Sequence, residues 1–516
     1  MPLVDNEPAR SENEPARSSR FDVVAPATGA IMGRVHAMSA EEVAVLIRRA
    51  RAAQPGWAAL GFQGRAQVMR DLRGWLVKNL EEVLGALTSE GGRTREDALF
   101  GECWFVCDSL GFWARRSRHY LADRRIRSRS PIMRGRTIRV RYAPRGVIGV
   151  IAPWNFPLAL GFGDAIPALM AGNAVVLKPS GITPLSSLLV ERAWREIGAP
   201  DGVFAVATGR GEVGSALVDA ADMIMFTGSV DTGRKIAERA ARRLTPVSLE
   251  LGGKDPMIVL RDADLDRAAA VATQFAFWHS GQICMSVERA YVEDPVYDSF
   301  VAKVLERTQS LRQGAGGPAG SAEVGAMVTS EQAELVASHI ADAVAKGARV
   351  LAGGKPRPGP GRFFEPTVLV DVDHGMRVMT EETFGPVLPI MRVADADEAV
   401  RLANDSLYGL NSSVFSSDLT KGERIAERLQ AGNACVNDAA VNAGIPAAPF
   451  GAVKESGIGT RNGPEGIRKY CSAQTVLVRR RPIPGADFLG WPNRSFATRL
   501  FERVLRLLWG RRRSSR

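Results

Sequence analysis

Cysteine is scarce in this chain, with only five residues in 516: Cys103, Cys107, Cys284, Cys435 and Cys471. An odd number without metal-site spacing argues against a disulfide framework and points to a reducing compartment, hence a cytoplasmic location. Histidine is equally sparse, and the five histidines are scattered with no H-E-x-x-H pair, so no metal site is expected. A secretory signal is missing too. Met1–Arg20 is polar, carries prolines and nearly repeats Asn6–Ser11 at Asn13–Ser18, which reads as a disordered tail. Gly228–Lys235 resembles a P-loop but lacks the Lys-Ser/Thr ending that grips phosphate and magnesium, which argues against nucleoside triphosphate hydrolysis. The net charge is +11 and arginines crowd Arg124–Arg145, yet no aromatic interleaving or recognised motif accompanies them, so nucleic acid is not an expected partner.

What remains is an ordinary globular composition in a chain too long for one small core, so two or three domains are expected. Apolar residues recur at three and four from Ser39 to about Leu87 (Val43, Leu46, Ile47, then Val68, Leu72, Leu76), predicting two amphipathic helices. Gly146–Ala152 and Ala174–Lys178 are continuous apolar runs, as in strands buried on both faces. Strand, turn and helix then repeat through Val203–Thr208 and Ala221–Phe226, the rhythm of a doubly wound α/β domain. A second α/β unit follows Asp255, with Asp262–Phe275 helical and Arg289–Val292 a strand. Arg134–Tyr142 alternates with period two, predicting a strand with one wet face.

The chemistry concentrates at Phe275–Ser286, where Cys284 follows a glycine turn in apolar surroundings. A thiol is strongly nucleophilic near neutral pH and also leaves readily, which suits chemistry through a thioester. Glu250, on an apolar strand before Gly252-Gly253-Lys254, is a candidate base. Asn155, in Pro153-Trp154-Asn155-Phe156-Pro157, offers an amide NH2 to a developing oxyanion. Gly209-Arg210-Gly211-Glu212-Val213-Gly214 matches the dinucleotide pattern G-x-G-x-x-G, and a helix opening at Ser229 after Gly228 presents free N–H groups to a pyrophosphate.

These motifs, taken in order with the later Glu381-Glu382-Thr383-Phe384-Gly385-Pro386, resemble the aldehyde dehydrogenase superfamily over roughly Phe21–Val478. The general style, including Gly463–Gly466, is similar to an actinobacterial-type succinate-semialdehyde dehydrogenase subgroup. The resemblance implies an α/β fold of two Rossmann-type domains plus a small β oligomerisation arm. The expected division is a tail at 1–20, a dinucleotide-binding domain at 21–250 with 120–143 in the arm, a catalytic domain at 251–452, a return to the arm at 453–482, and a C-terminal amphipathic extension at 483–516. It further implies Cys284 as nucleophile, Glu250 as base and Asn155 as oxyanion donor. Lys178 is then expected at the adenosine ribose, Glu382 at the nicotinamide ribose and Phe384 beside the nicotinamide, with Trp154, Gly209, Gly228 and Ser229 completing the cofactor set. Gly181 stands where the family usually has a ribose-binding glutamate. With Lys178 and Arg210 nearby, NAD and NADP both stay open.

The expected reaction is oxidation of an aldehyde to a carboxylic acid through a thiohemiacetal and a thioester, on a medium- or long-chain aldehyde. Succinate semialdehyde is the alternative substrate, although the positions that hold its carboxylate in such relatives match Gly444 and Gly163 here. A CoA-acylating relative is disfavoured by Glu250, and a non-catalytic scaffold by the full set of reacting groups. The expected assembly is a homodimer or homotetramer. Beyond the family core, Ser495–Trp509 predicts an amphipathic helix with Phe496, Leu500, Val504 and Leu508 on one face and arginines on the other. About 15 residues at 1.5 Å each cannot cross a ~30 Å hydrocarbon layer, so peripheral contact with the inner membrane face is expected, with a neighbouring subunit as the alternative partner.

Overall fold

The computed structural model describes residues 20–128, 133, 136–479 and 495–510. The tail expected at 1–20 lies outside them except for Arg20, which opens the strand Arg20–Val24; residues 483–494 and 511–516 of the C-terminal extension lie outside as well. Contacts divide the described chain into a larger unit, up to Leu121 and from Pro144 to Ser472, and a smaller one made of Ala122–Ala143 and the chain from Ala473.

In the larger unit the apolar runs form strands buried on both faces, and these build two sheets. The first has six strands in the order Gly457–Ile458, Val247–Glu250, Met223–Thr227, Val147–Ile151, Ala174–Lys178, Phe204–Val206. All neighbours are parallel except the short Gly457–Ile458 edge. The chain enters in the middle at Val147–Ile151, works outward to Phe204–Val206 and resumes on the other side. That reversal is the switch point at whose carboxyl side such sheets take ligands. The second sheet has seven strands in the order Arg349–Ala352, Thr367–Val370, Val387–Val393, Val287–Glu293, Asp255–Val259, Ser413–Phe415, Cys435–Val436, with only the first pair antiparallel. This is the α/β architecture the sequence implies.

Two expectations change. The periodic stretch after Ser39 folds as three helices, Ala40–Ala59, Gly61–Lys78 and Leu80–Gly91, because the chain turns at Gly61, whose φ is +66°, and again at Asn79. The apolar spacing runs on across both breaks, so periodicity alone hides them. Of the segment 453–482, residues up to Ser472 pack in the larger unit, where Gly457–Ile458 lies antiparallel to Leu249 and Glu250. The smaller unit holds a three-stranded sheet of Arg124–Ile126, Arg136–Pro144 and Cys471–Arg479, together with the helix Ser495–Trp509.

One buried ion pair holds the Asn155 loop in place. Glu102 and Arg93 have fully buried side chains 2.6 Å apart. The same Glu102 carboxylate accepts the backbone N–H groups of Leu158 (3.0 Å) and Ala159 (2.6 Å), which open the π-helical turn Pro157–Phe162 and have no partner within it. Arg93 in turn donates to the carbonyl of Asn155. Replacing Glu102 by Ala strips Arg93 of its counter-charge and leaves two buried N–H groups without an acceptor. The expected loss is about 3–5 kcal/mol of unfolding free energy. Denaturant titration measures it, and a loss below about 1 kcal/mol would place the pair among ion pairs of little consequence.

Candidate active site

Four strands of the first sheet deliver residues at their carboxyl ends. Val147–Ile151 leads to Trp154 and Asn155, Ala174–Lys178 ends on Lys178, Met223–Thr227 runs into Gly228 and Ser229, and Val247–Glu250 ends on Glu250. The second sheet meets them with its amino ends: Cys284 precedes Val287–Glu293, and Glu382 and Phe384 precede Val387–Val393. The chain first crosses from one sheet to the other through Leu251–Lys254, and returns between Val436 and Gly457. A Cβ on Gly252 would stand 2.5 Å from the Glu382 carboxylate, and one on Gly253 would stand 2.2 Å from the carbonyl oxygen of Cys284. Glu382 and Cys284 therefore flank the glycine pair in contact with its backbone.

Cys284 is presented by a strained turn. His279 and Ser280 have φ of +48° and +55°, a region L-residues rarely occupy, and Gly281 follows at +68°. The turn is held by Ser280 Oγ donating to Gly325 O (2.7 Å) and by Gln282, whose Oε1 accepts from Val328 N (2.8 Å). Asn155 Nδ2 donates to Gln282 O at 2.9 Å, which uses one of its two N–H groups and ties the amide to the Cys284 turn. Burial pushes the Cys284 thiol up to about 12, with the Arg461 guanidinium opposing and the carboxylates of Asp255, Glu382 and Glu250 adding to the rise. The resting group is a thiol.

Glu250 is 3% exposed, and its Oε1 has no hydrogen-bond partner among the described residues. Burial raises it to about 7, against the lowering pull of Arg461 and Lys469. A carboxylate near neutrality in its proton affinity is suited to general-base work at physiological pH.

A cavity of about 700 Å³ opens on Cys284. Its wall is largely apolar and aromatic, with Phe100, Trp104, Phe105, Phe156, Phe275 and Trp278 prominent, and Val441 and Gly444 come from the short helical turn Val441–Gly444. Glu96, Asp97, Asp108 and Glu323 also line it, Glu323 in an ion pair with Arg312, and among the described residues its one guanidinium, Arg461, is bound by Asp164 through both Nε and Nη2 at 2.8 Å.

Lys178, Gly209, Gly228, Ser229 and Glu382, the residues expected at a cofactor, are not on that wall. Trp154 and Phe384 meet edge to face at 5.4 Å. Glu382 Oε1 accepts from Gly253 N at 2.9 Å, and burial raises its carboxyl to about 8. Ser229 caps the helix Val230–Ala241. Lys178 is 8% exposed and, among the described residues, its ammonium meets no carboxylate or acceptor; burial alone lowers it to about 8. A buried amine without a partner among the described residues, at the carboxyl end of its strand, fits the ribose and phosphates of a dinucleotide. Gly181 lies against Gly209 O (3.6 Å) and the Arg210 side chain (3.7 Å) when given a Cβ, so these three residues are neighbours.

Several groups that shape the site carry no local signal in the sequence. Lys254 and Glu288 form a buried pair at 2.6 Å, and Glu288 accepts the backbone N–H groups of Thr383 (2.8 Å) and Phe384 (2.9 Å), fixing the loop on which Phe384 adopts φ +48°. Arg461 and Asp164 stand 297 positions apart, too far for any local spacing to link them.

The Aldehyde dehydrogenase family model matches residues 13–476. A protein of Mycolicibacterium smegmatis named "Putative succinate-semialdehyde dehydrogenase (NADP(+))" is 44% identical over 456 residues, covering 88% of this chain and 87% of that protein. The 4,4'-diapolycopene aldehyde oxidase of a Methylomonas species is 40% identical over 463 residues, covering 89% and 86%. Among solved structures, a Mycobacterium tuberculosis aldehyde dehydrogenase complexed with NAD+ superposes with a TM-score of 0.86 at 32% identity, covering 92% of this chain and 97% of that one. The chain belongs to the aldehyde dehydrogenase family and is an NAD(P)-dependent oxidoreductase of aldehydes.

Proposed function

We propose that this enzyme oxidises long-chain or otherwise extended apolar aldehydes with NADP, using Cys284 as nucleophile, Asn155 as oxyanion donor and Glu250 as base. The observation that carries the substrate class is the cavity on Cys284: it is aromatic and apolar, and its single guanidinium is already held by Asp164. A succinate semialdehyde would bring a carboxylate to a wall where, among the described residues, Glu96, Asp97 and Asp108 stand without a paired cation and Glu323 is already held by Arg312. No hydroxyl or cation stands at Gly444 or Gly163; a Cβ at Gly444 meets nothing within 4 Å, and one at Gly163 meets Phe105. The name of the Methylomonas relative, which specifies 4,4'-diapolycopene aldehyde, accords with this reading.

In the mechanism, Cys284 gives its proton to solvent and attacks the aldehyde carbon as the thiolate. The oxyanion of the thiohemiacetal is met by the Asn155 Nδ2–H and the backbone N–H of Cys284, each worth on the order of 3 kcal/mol of barrier. When bound, NADP+ supplies the hydride acceptor that turns the adduct into a thioester. Glu250 then takes a proton from water, which adds to the thioester and releases acid and thiol. Because Glu250 works in its ionised form and is raised to about 7, thioester hydrolysis climbs with pH through that value.

Rapid-quench kinetics with decanal and with succinate semialdehyde test this assignment. Decanal should give the higher kcat/KM, Cys284→Ser should give no turnover, and Glu250→Gln should accumulate the acyl-enzyme and stall. A preference for the semialdehyde would overturn the substrate class, and free turnover by Glu250→Gln would overturn the base.

NADP is favoured over NAD by the name of the 44% identical relative and by Gly181, which puts no carboxylate beside Lys178 and Arg210. A side chain fits at Gly181, since its Cβ would approach nothing closer than 3.6 Å. Gly181→Glu should therefore weaken NADP binding about tenfold while sparing NAD, by placing like charge at the 2′-phosphate. Equilibrium titration of both cofactors reads this, and unchanged NADP affinity would remove Gly181 from the site.

The arm sheet is assigned to a homo-oligomer, a dimer or tetramer, in the cytoplasm, and the helix Ser495–Trp509 to the inner membrane face. Phe496, Leu500, Leu505 and Trp509 are all exposed on this helix, and Arg499, Arg503 and Arg506 suit anionic lipid. Among the described residues no helix is long and apolar enough to cross a membrane. In flotation with phosphatidylglycerol vesicles the full chain should rise and a chain ending at Pro484 should not; equal failure of both would leave the helix as a subunit contact.

A further inference from the structure

The Arg461 guanidinium stands between two buried carboxylates and binds only one. Its Nε and Nη2 each lie 2.8 Å from the two oxygens of Asp164, and Nη2 also donates to Thr227 Oγ1 at 2.8 Å. The remaining nitrogen, Nη1, lies 4.0 Å from Glu250 Oε2, beyond hydrogen-bond distance. Asp164 and Glu250 have side chains 4% exposed, and Arg461 has 11%. In so dry a setting a guanidinium one short step from a carboxylate closes on it unless something holds it back. Asp164 is fixed on the helix Gly163–Met170, and its carbonyl accepts the Tyr470 hydroxyl at 3.1 Å. Its grip engages two nitrogens on one edge of the guanidinium and fixes the plane's orientation.

We propose that Asp164 is a positioning residue that withholds Arg461 from Glu250, so that Glu250 feels a positive charge without being tied into an ion pair. The inference rests on Glu250 as the base that hydrolyses the thioester. A base bonded to a guanidinium is neither free to reach a water nor basic enough to deprotonate it. A base with no cation nearby would hold its proton until higher pH. The observed spacing avoids both: Oε1 of Glu250 remains without a partner while Arg461 stays at the wall of the cavity beside Cys284. The other groups facing Glu250 are Lys469, whose ammonium lies 3.2 Å from Met225 Sδ and from Ser248 Oγ, the Tyr470 hydroxyl and the Cys284 thiol. Among these cations Arg461 has the larger influence on Glu250.

The test needs no cofactor. p-Nitrophenyl acetate acylates a thiol and releases p-nitrophenolate, so the full-length protein should show a burst followed by a steady rate set by hydrolysis of the acyl-enzyme. Asp164→Asn frees Arg461 to close on Glu250. The expected result is a full burst, a steady rate lowered about tenfold, and an acidic limb of the pH profile moved down by about one unit. Arg461→Gln should move that limb up, again by about one unit. Should either single variant fail to fold, the double variant Asp164→Asn/Arg461→Gln leaves no buried charge of the pair unmatched, and its limb should lie above that of the parent. A limb that stays in place in the folded variants overturns the proposal, as does a lowered burst with an unchanged steady rate per acylated site, the mark of a merely structural role. A KM rise confined to succinate semialdehyde, with the limb unmoved, would overturn it in favour of Arg461 as a substrate anchor. Glu250→Gln, run alongside, separates the two assignments: if it still hydrolyses the acyl-enzyme the base itself is wrong, whereas its stalling beside an unmoved limb removes only the Asp164 role.

Discussion

A chain that leaves one sheet at Glu250 and enters the next at Asp255 has only Leu251–Lys254 in which to cross, and the two middle residues have no room for a side chain. That crossing sets the rest of the molecule. It brings the carboxyl ends of one parallel sheet against the amino ends of another, and backbone there approaches the Glu382 carboxylate on one side and the Cys284 carbonyl on the other. The glycines are needed for close approach: Gly252 and Gly253 have no positive φ among the described residues, so it is space and not backbone conformation that excludes larger residues.

Charges in this interior fall into two groups. Arg93 with Glu102, Lys254 with Glu288 and Arg461 with Asp164 are paired, and the first two pairs also accept or donate to the backbone of a loop that carries site residues. Glu250 and Lys178 are buried without a direct partner, and each is displaced toward neutrality by burial. In these five cases the paired charges hold shape, and the two assigned to chemistry or ligand are left with an open valence. An unpaired buried charge is costly, which is why such groups concentrate where a ligand or a reaction completes them.

Sequence reasoning reached the strands and the residues at their ends because both are local. Val147–Ile151 and Ala174–Lys178 announce themselves as unbroken apolar runs, and Cys284, Glu250 and Asn155 sit in motifs a few residues long. The breaks at Gly61 and Asn79 were hidden, since the apolar spacing of the three helices continues across them and the one proline nearby, Pro55, lies inside a helix. The pairs that hold the site together were hidden for a different reason. Arg461 reaches Asp164 across 297 positions and Arg93 reaches Asn155 across 62, and in the sequence each is one more charge in an ordinary stretch. Only the packed chain shows which carboxylate each guanidinium meets.

The carboxylates on the cavity wall treat the two ends of the reaction differently. An aldehyde enters uncharged and is held by the aromatic surface, indifferent to Glu96, Asp97, Asp108 and Glu323. The acid that leaves Cys284 is an anion facing charges of its own sign, with Arg461 already committed to Asp164. For the aldehydes proposed above as substrates, the same wall would hold what has yet to react and repel what has reacted, which predicts weak competition by accumulated acid.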